Sequence, residues 1–164
     1  MIVPPSRLLA YTAAIGIEQL NNKYLPTFVH NADTIIKGRR IDFIADDLTA
    51  KHDAYIDVFV GNSPKYSYVR AYENTVIEIV EKKQISPYAS SGFYGFLTGH
   101  LYLEYYNKLA EKDGELYIAD VMQSMIQSNK QVFMNPLGGS QETIVLGSPQ
   151  EYGIEIARQT LGAK

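Results

Sequence analysis

The sequence predicts a single α/β domain, a three-layer sandwich around a mixed, mostly parallel sheet. Three observations support this prediction. The length of 164 residues suits one domain. Runs rich in β-branched and aromatic residues alternate with segments whose apolar residues recur at helical spacing. One hairpin interrupts that alternation, which makes the sheet mixed. No repeat, low-complexity tract or linker divides the chain, so residues 1–164 are taken as one domain.

The clearest helix is marked by apolar residues at i, i+3, i+4, i+7 and i+8: Ile118, Val121, Met122, Met125 and Ile126. A capping box with proline at the first helical position, Ser148-Pro149 followed by Glu151, starts the last helix. Weaker patterns predict three more helices, at roughly 7–20, 40–51 and 99–112. The strands predicted between them cover residues 27–30, 54–60, 93–97, 131–134 and 143–146, with a hairpin from 66–70 and 75–80 and a loop at 136–139.

Composition excludes several classes of function. The net charge is −3 and there is no long basic run, so nucleic-acid binding has little electrostatic support. No apolar stretch reaches the length of a membrane span, and the N-terminus is a poor signal peptide. The absence of cysteine excludes disulfides and thiolate metal sites. The three histidines form neither a catalytic triad pattern nor a zinc pattern. We therefore expect a soluble, cytoplasmic protein without nucleic-acid or membrane partners.

The first candidate site residue is Asp33, which follows the short apolar strand 27–30. Ligands bind at the carboxyl ends of strands in open α/β sheets. A carboxylate there suits Mg²⁺, which takes one or two protein carboxylates together with phosphate oxygens. The same local pattern also fits an Asx-turn or a helix cap.

A second candidate begins where the hairpin ends, at Glu81 and Lys82. A carboxylate can accept hydrogen bonds from vicinal hydroxyls, and a lysine ammonium can neutralise a phosphate. The run of small residues that follows includes Ser91 and Gly92, and the glycine would allow a ligand to approach the backbone closely. The alternative for the charged residues is a solvated Glu-Lys-Lys turn.

Two further segments are acidic or polar at the start of a helix. Glu115 and Asp120 bracket the start of the helix that contains Ile118, where negative charge is favourable without any ligand. The segment from Leu146 to Tyr152 is, by its local pattern, a helix cap.

The order of these motifs resembles the nucleotidyltransferases that make nucleotide sugars, especially those associated with capsule and surface polysaccharides. The resemblance implies a GT-A-like (Rossmann-like) nucleotidyltransferase fold. It also implies an activity that joins a nucleoside triphosphate (NTP) to a sugar 1-phosphate and releases pyrophosphate with Mg²⁺. The expected partners are thus a sugar phosphate and an NTP.

The resemblance also implies roles for individual residues. Asp33 matches the first metal-binding aspartate and is expected to be catalytic. Glu81 and Lys82 match a pair that contacts the sugar and its phosphate, Lys82 also being catalytic. The remaining implied positions are Ser91 and Gly92 beside the sugar, Asp120 in the site wall, and Ala10 and Thr12 at the nucleobase.

Three departures from the family pattern qualify this expectation. Residues 1–30 contain nothing like the family's glycine-rich triphosphate loop, so the sequence predicts a fold lacking its first strand and phosphate loop. Val145 stands where many members have a second metal-binding aspartate, and Ser67 stands where many have a glycine. Three hypotheses follow: a member inactive by itself, an enzyme whose loop comes from a partner chain, or a binding or assembly subunit, including a homo-oligomer.

Overall fold

The computed structural model describes residues 8–110, 115–135 and 142–162. Its helices are α1 (Leu8–Glu18), α2 (Ile41–Ala50), α3 (Gly99–Leu109), α4 (Ile118–Gln127) and α5 (Pro149–Gly162). Its strands are β1 (Thr27–His30), β2 (Thr34–Lys37), β3 (Ala54–Val60), β4 (Tyr68–Tyr72), β5 (Thr75–Val80), β6 (Tyr88–Phe96), β7 (Val132–Met134) and β8 (Glu142–Val145). The five helices and the hairpin predicted from the sequence are all present. The predicted loop at 136–139 and the predicted helix start at residue 7 lie outside the described residues.

The main sheet has six strands in the order β1-β6-β3-β7-β5-β4, and β4 also pairs with β6. The sheet is mixed, as predicted, but the expectation that it is mostly parallel is wrong. Among the described residues, β3 and β7 form the parallel pair and the other pairings are antiparallel. The helical connection does leave β1 and β3 running in the same direction. They are not neighbours, because β6 lies between them and runs the opposite way.

Two apolar clusters cover the two faces of this sheet, which confirms the three layers. Successive side chains of β3 alternate between the faces. Ala54, Ile56 and Val58 join the larger cluster, which contains residues of α1, α3 and α4. Tyr55 joins the smaller cluster, where α2 contributes Ile44 and Leu48.

A two-stranded ribbon of β2 and β8 stands apart from the main sheet. Sequence reasoning missed β2, although the run Thr34-Ile35-Ile36 has the β-branched character of a strand. Arg39 joins the ribbon to β3. Its Nε and Nη2 donate to the two carboxylate oxygens of Asp57, both at 2.9 Å, and Nη2 also donates to the hydroxyl of Thr143 at 2.7 Å. The Arg39 and Asp57 side chains are only 3% and 0% exposed.

Strand β6 is longer than the sequence predicted, beginning at Tyr88 rather than Phe93. Its first residues, from Tyr88 to Ser90, pair with Val58 to Val60 of β3. The small residues Ser90 to Gly92 are therefore part of a central strand, and all three are buried.

The predicted cap of α5 is confirmed, since Ser148 Oγ accepts a hydrogen bond from the Glu151 N–H at 3.3 Å. In the parts of the chain that the structure describes, no helix has the length and apolar character needed to cross a membrane.

Candidate functional site

A cavity of about 210 Å³ lies at the end of the sheet where β1 and β5 finish. Its lining comes from segments far apart in the sequence. They are Asn31 and Asp33 after β1, Lys65 to Ser67 before β4, Glu81 after β5, Ser90 to Gly92 in β6, Tyr117 to Ala119 at the start of α4, and Val145 and Gly147 before α5. The structure thus brings Asp33, Glu81, Ser91 and Gly92 into one cavity.

Asp33 forms one end of this cavity. The Leu146 N–H donates to its backbone carbonyl at 2.7 Å, which seats the end of β8 against it. The approach is close, because a β-carbon added to Gly147 would lie 2.8 Å from Asp33 Oδ2. Asp33 is exposed, and the Thr34 hydroxyl donates to its carboxylate at 3.3 Å. Since a strand follows it, Asp33 does not cap a helix.

Glu81 lines the cavity from the end of β5 and is partly buried. Burial raises the pKa of its carboxyl above the ordinary value. A hydrogen bond donated by the Ser67 hydroxyl and the charge of Lys82 oppose this rise in pKa, whereas the charges of Asp120 and Glu115 add to it. The partly buried Glu81 carboxylate therefore accepts from the Ser67 hydroxyl and is not a fully solvated turn residue.

The next residue after β5 is Lys82. Its side chain points in a different direction from that of Glu81 and does not line the cavity. Its φ is +54°, and its N–H donates to the Tyr66 carbonyl at 3.1 Å. Its Nζ donates to the Tyr117 hydroxyl at 2.5 Å. Tyr117 does line the cavity, so the Lys82 ammonium contacts one of the cavity's lining residues.

The floor of the cavity is built by β6. Gly92 has a φ of +82°, and an added β-carbon would lie 2.5 Å from Asn31 Nδ2. Only glycine fits this position without strain. The Ser90 hydroxyl accepts from the Gly92 N–H and donates to the Tyr94 hydroxyl, both at 3.1 Å.

Asp120 is not a wall residue, which corrects the sequence-based expectation. Its Oδ2 accepts from the Tyr117 N–H at 2.8 Å, which caps the start of α4. The alternative interpretation as a helix-start acid is therefore the one that the structure supports. The neighbouring Ile118 and Ala119 line the cavity instead.

The two expected nucleobase positions differ in accessibility. Ala10 is 0% exposed, and its carbonyl accepts from the Tyr102 hydroxyl at 2.8 Å. Its side chain belongs to the core, so the expected contact with a base is wrong. Thr12 is exposed and lines a second, mostly apolar cavity of about 910 Å³ between α1 and β1.

Sequence reasoning missed several residues that line the site, among them Lys65 and Tyr117. The Lys65 ammonium lies 2.5 Å from Glu151 Oε1. That contact raises the pKa of Lys65, and Asp33 adds to the rise more weakly. No local pattern marks such a residue, since it is defined by a partner 86 positions away in the chain.

Of the two carboxylates that line this cavity, Asp33 and Glu81, Asp33 is the more exposed. The described residues contain no group of three or more histidine or acidic side chains that could enclose a metal. The exposed Asp33 carboxylate at the cavity edge nevertheless fits Mg²⁺, which is often held by one or two carboxylates and completed by phosphate oxygens and water.

A six-stranded mixed sheet between two apolar clusters, with a cavity at the strand ends, defines the class of three-layer α/β domains. The chain belongs to the nucleotidyl transferase family, whose model matches residues 4–139. The search of curated proteins gave no match.

Solved structures of similar fold include members of known families. A nucleoside-diphosphate-sugar pyrophosphorylase from Vibrio cholerae RC9 is 30% identical with a TM-score of 0.72, over 88% of this chain and 63% of that one. A putative glucose-1-phosphate thymidylyltransferase from Bacillus anthracis, at 18% identity, has a TM-score of 0.75 over 96% of this chain and 63% of that one. A UDP-glucose pyrophosphorylase bound to UDP-glucose, at 17% identity, matches over 95% of this chain and 63% of that one, again with a TM-score of 0.75. The chain therefore spans 63% of the length of these relatives.

Proposed function

We propose that the cavity bordered by Asp33 and Glu81 is the sugar-phosphate pocket of a cytoplasmic nucleotidyltransferase-like protein of nucleotide-sugar biosynthesis, serving surface or capsular polysaccharides. The observation that carries the proposal is the convergence of Asp33, Glu81, Ser91 and Gly92 on one cavity. Membership of the nucleotidyl transferase family supports the same conclusion.

Each part of the cavity has a chemistry that suits this ligand. The Glu81 carboxylate can accept hydrogen bonds from sugar hydroxyls, and Ser91 and Gly92 line the same cavity. Lys82 supplies positive charge for the phosphate at the rim. Asp33 would hold Mg²⁺, which neutralises phosphate charge when bound.

We further infer that a chain of these 164 residues binds a sugar phosphate without catalysing nucleotidyl transfer. Nucleotidyl transfer depends on positioning and on electrostatic stabilisation of the phosphates. Residues 1–30 contain no glycine-rich loop to cradle a triphosphate. The purified chain is expected to give no pyrophosphate with Mg²⁺, an NTP and a panel of sugar 1-phosphates. Turnover that Asp33→Ala abolishes would contradict the inference.

A second candidate function is a binding or assembly subunit completed by a partner chain or a second copy. The apolar cavity between α1 and β1, about 910 Å³ in volume, favours it as a surface for association. Light scattering that shows a monomer at all concentrations would exclude the homo-oligomer.

The proposal is tested by calorimetric titration with glucose 1-phosphate. Glu81→Gln keeps the shape of the side chain but removes the charge that accepts hydroxyl hydrogen bonds. We expect it to weaken binding at least about tenfold, as the loss of a charge-assisted hydrogen bond does. Glu104→Gln, an exposed change on α3, is the matched control and should bind like the wild type. Equal affinities for the wild type and Glu81→Gln would contradict the proposed role.

A further inference from the structure

Lys82, just after the end of β5, has an unusual backbone conformation. Its φ of +54° lies in the left-handed region, which non-glycine residues seldom adopt. The hydrogen bond from its N–H to the Tyr66 carbonyl fixes that conformation. As a result, Glu81 lines the cavity while the Lys82 side chain reaches the start of α4.

The Lys82 ammonium meets Tyr117 through both the hydroxyl and the ring. Its Nζ donates to the Tyr117 hydroxyl at 2.5 Å and lies 4.6 Å from the centre of the ring. The Tyr117 hydroxyl in turn donates to the Glu115 carboxylate. Glu115 Oε2 is 3.9 Å from the ammonium, so the hydroxyl links the two charges. The Lys82 side chain remains 54% exposed, which leaves ammonium donors for a ligand.

Tyr117 is itself fixed in position. Its N–H donates to Asp120 Oδ2 at 2.8 Å at the start of α4. The side chain is partly buried and lines the same cavity as Glu81. The first turn of α4 therefore determines where the Lys82 ammonium lies relative to the cavity.

We propose that Tyr117 is a positioning residue that holds the Lys82 ammonium at the cavity rim, where it contacts the phosphate of a bound sugar phosphate. This inference rests on the proposed function. It places the phosphate beside Lys82 and the sugar hydroxyls at Glu81. It also gives the segment from Glu115 to Asp120 a role in ligand binding, although Asp120 does not line the cavity.

Glu115 competes with a bound phosphate for the Lys82 ammonium. The Tyr117 hydroxyl is therefore needed to keep the ammonium available to the phosphate. Without that hydroxyl, the ammonium can close the present 3.9 Å gap to the Glu115 carboxylate. An exposed ion pair of that kind would turn the ammonium away from the cavity. Tyr117→Phe keeps the ring and removes only the hydroxyl, so it isolates this effect.

The test is a pair of NMR titrations, one with glucose 1-phosphate and one with glucose, which lacks the phosphate. We expect Tyr117→Phe to weaken glucose 1-phosphate binding at least about fivefold and to leave glucose binding unchanged. The double variant Lys82→Met/Tyr117→Phe should bind no more weakly than Lys82→Met, because both changes act on one contact. Tyr72→Phe, at the exposed tip of the hairpin, is the control and should bind like the wild type.

Glu115→Gln supplies an independent variant at an exposed position. It removes the competing charge, so we expect it to restore glucose 1-phosphate binding to Tyr117→Phe. Wild-type affinity in Tyr117→Phe, equal weakening for both ligands, or no restoration by Glu115→Gln would overturn the inference and leave the proposed function intact. A wild-type chain that binds neither ligand would overturn both.

Discussion

Glu81 shows how one side chain can combine a structural cost with a binding role. Its carboxylate is partly buried, and the Ser67 hydroxyl is a hydrogen-bond partner within the protein. Burial is the largest influence on its pKa, which is raised above the ordinary value of 4.5. The site proposed to accept ligand hydroxyls therefore holds a charge that destabilises the folded chain.

This arrangement predicts a pH dependence of stability. Because the folded-state pKa of Glu81 is raised, the folded chain binds the proton more tightly than the unfolded chain does. The contribution of Glu81 to stability therefore falls as the pH rises from about 4.5 through the raised pKa. Glu81→Gln should gain thermal stability relative to the wild type between pH 4 and pH 7.

Glu104→Gln should show the opposite trend, measured by thermal unfolding in the same buffers. A hydrogen bond from Lys108 is the largest cause that lowers the pKa of Glu104, so its ionised form stabilises the folded chain. The stability of Glu104→Gln relative to the wild type should fall slightly as the pH rises. A Glu81→Gln difference that does not change with pH would contradict the assigned cause.

Residues in sequence motifs were more readily predicted than residues defined by their contacts. Asp33, Glu81, Ser91 and Gly92 were found because each follows or lies within a recognisable strand, and the structure brings them to one cavity. Tyr117 carried no local signal, since its importance comes from a lysine 35 positions away. Asp120 and Ala10 were misplaced, because a motif does not show whether a side chain faces a cavity, a helix cap or the core.

At the scale of elements, the β2–β8 ribbon positions one side of the cavity. Its ends carry Thr34 and Val145, which line the cavity beside Asp33. Arg39 fastens the ribbon to the central strand β3 through the buried pair with Asp57, and the Tyr55 hydroxyl donates to the same carboxylate at 2.9 Å. Because β2 and β8 pair only with each other in the described structure, the ribbon is held to the sheet by this ionic contact and by Ile36, which packs on the smaller core.

Breaking this pair should be costly. Arg39→Met leaves the Asp57 carboxylate buried without a counter-charge, so we expect a loss of about 3–5 kcal/mol in the free energy of unfolding. Urea denaturation measures this free energy. The double variant Arg39→Met/Asp57→Asn should lose less stability than Arg39→Met, because no uncompensated charge remains buried at position 57. Arg40→Met changes the next residue, an exposed arginine, and should unfold like the wild type. An equal effect at both arginines would show that burial of the pair is unimportant.

The order of the strands in the sheet is the feature that local sequence patterns did not predict. Amphipathic spacing identified α4, and β-branched runs identified most strands, because both signals are local. The position of β6 between β1 and β3 depends on pairing between distant residues, such as His30 with Phe93. Alternating strands and helices therefore indicated a largely parallel sheet that the structure does not have.

At the scale of the whole molecule, the two faces of the sheet differ in their relation to the cavity. The face covered by α2 contains the smaller core, with Tyr55, Phe93 and Phe133. The larger core behind the other face includes Ile118 of α4, and the start of that helix reaches the cavity. A ligand that binds as proposed should therefore affect the strand ends and the start of α4 while leaving α2 unaffected.

The most direct test is a map of backbone amide shifts in ¹H–¹⁵N NMR spectra as glucose 1-phosphate is added to the chain. The account predicts saturable shifts at Ser67, at Glu81 and Lys82, at Ser90 to Gly92 and at Gly147, with none in α2. Shifts centred on the apolar cavity between α1 and β1, or no saturable shifts at all, would contradict the assignment of the cavity as a sugar-phosphate pocket.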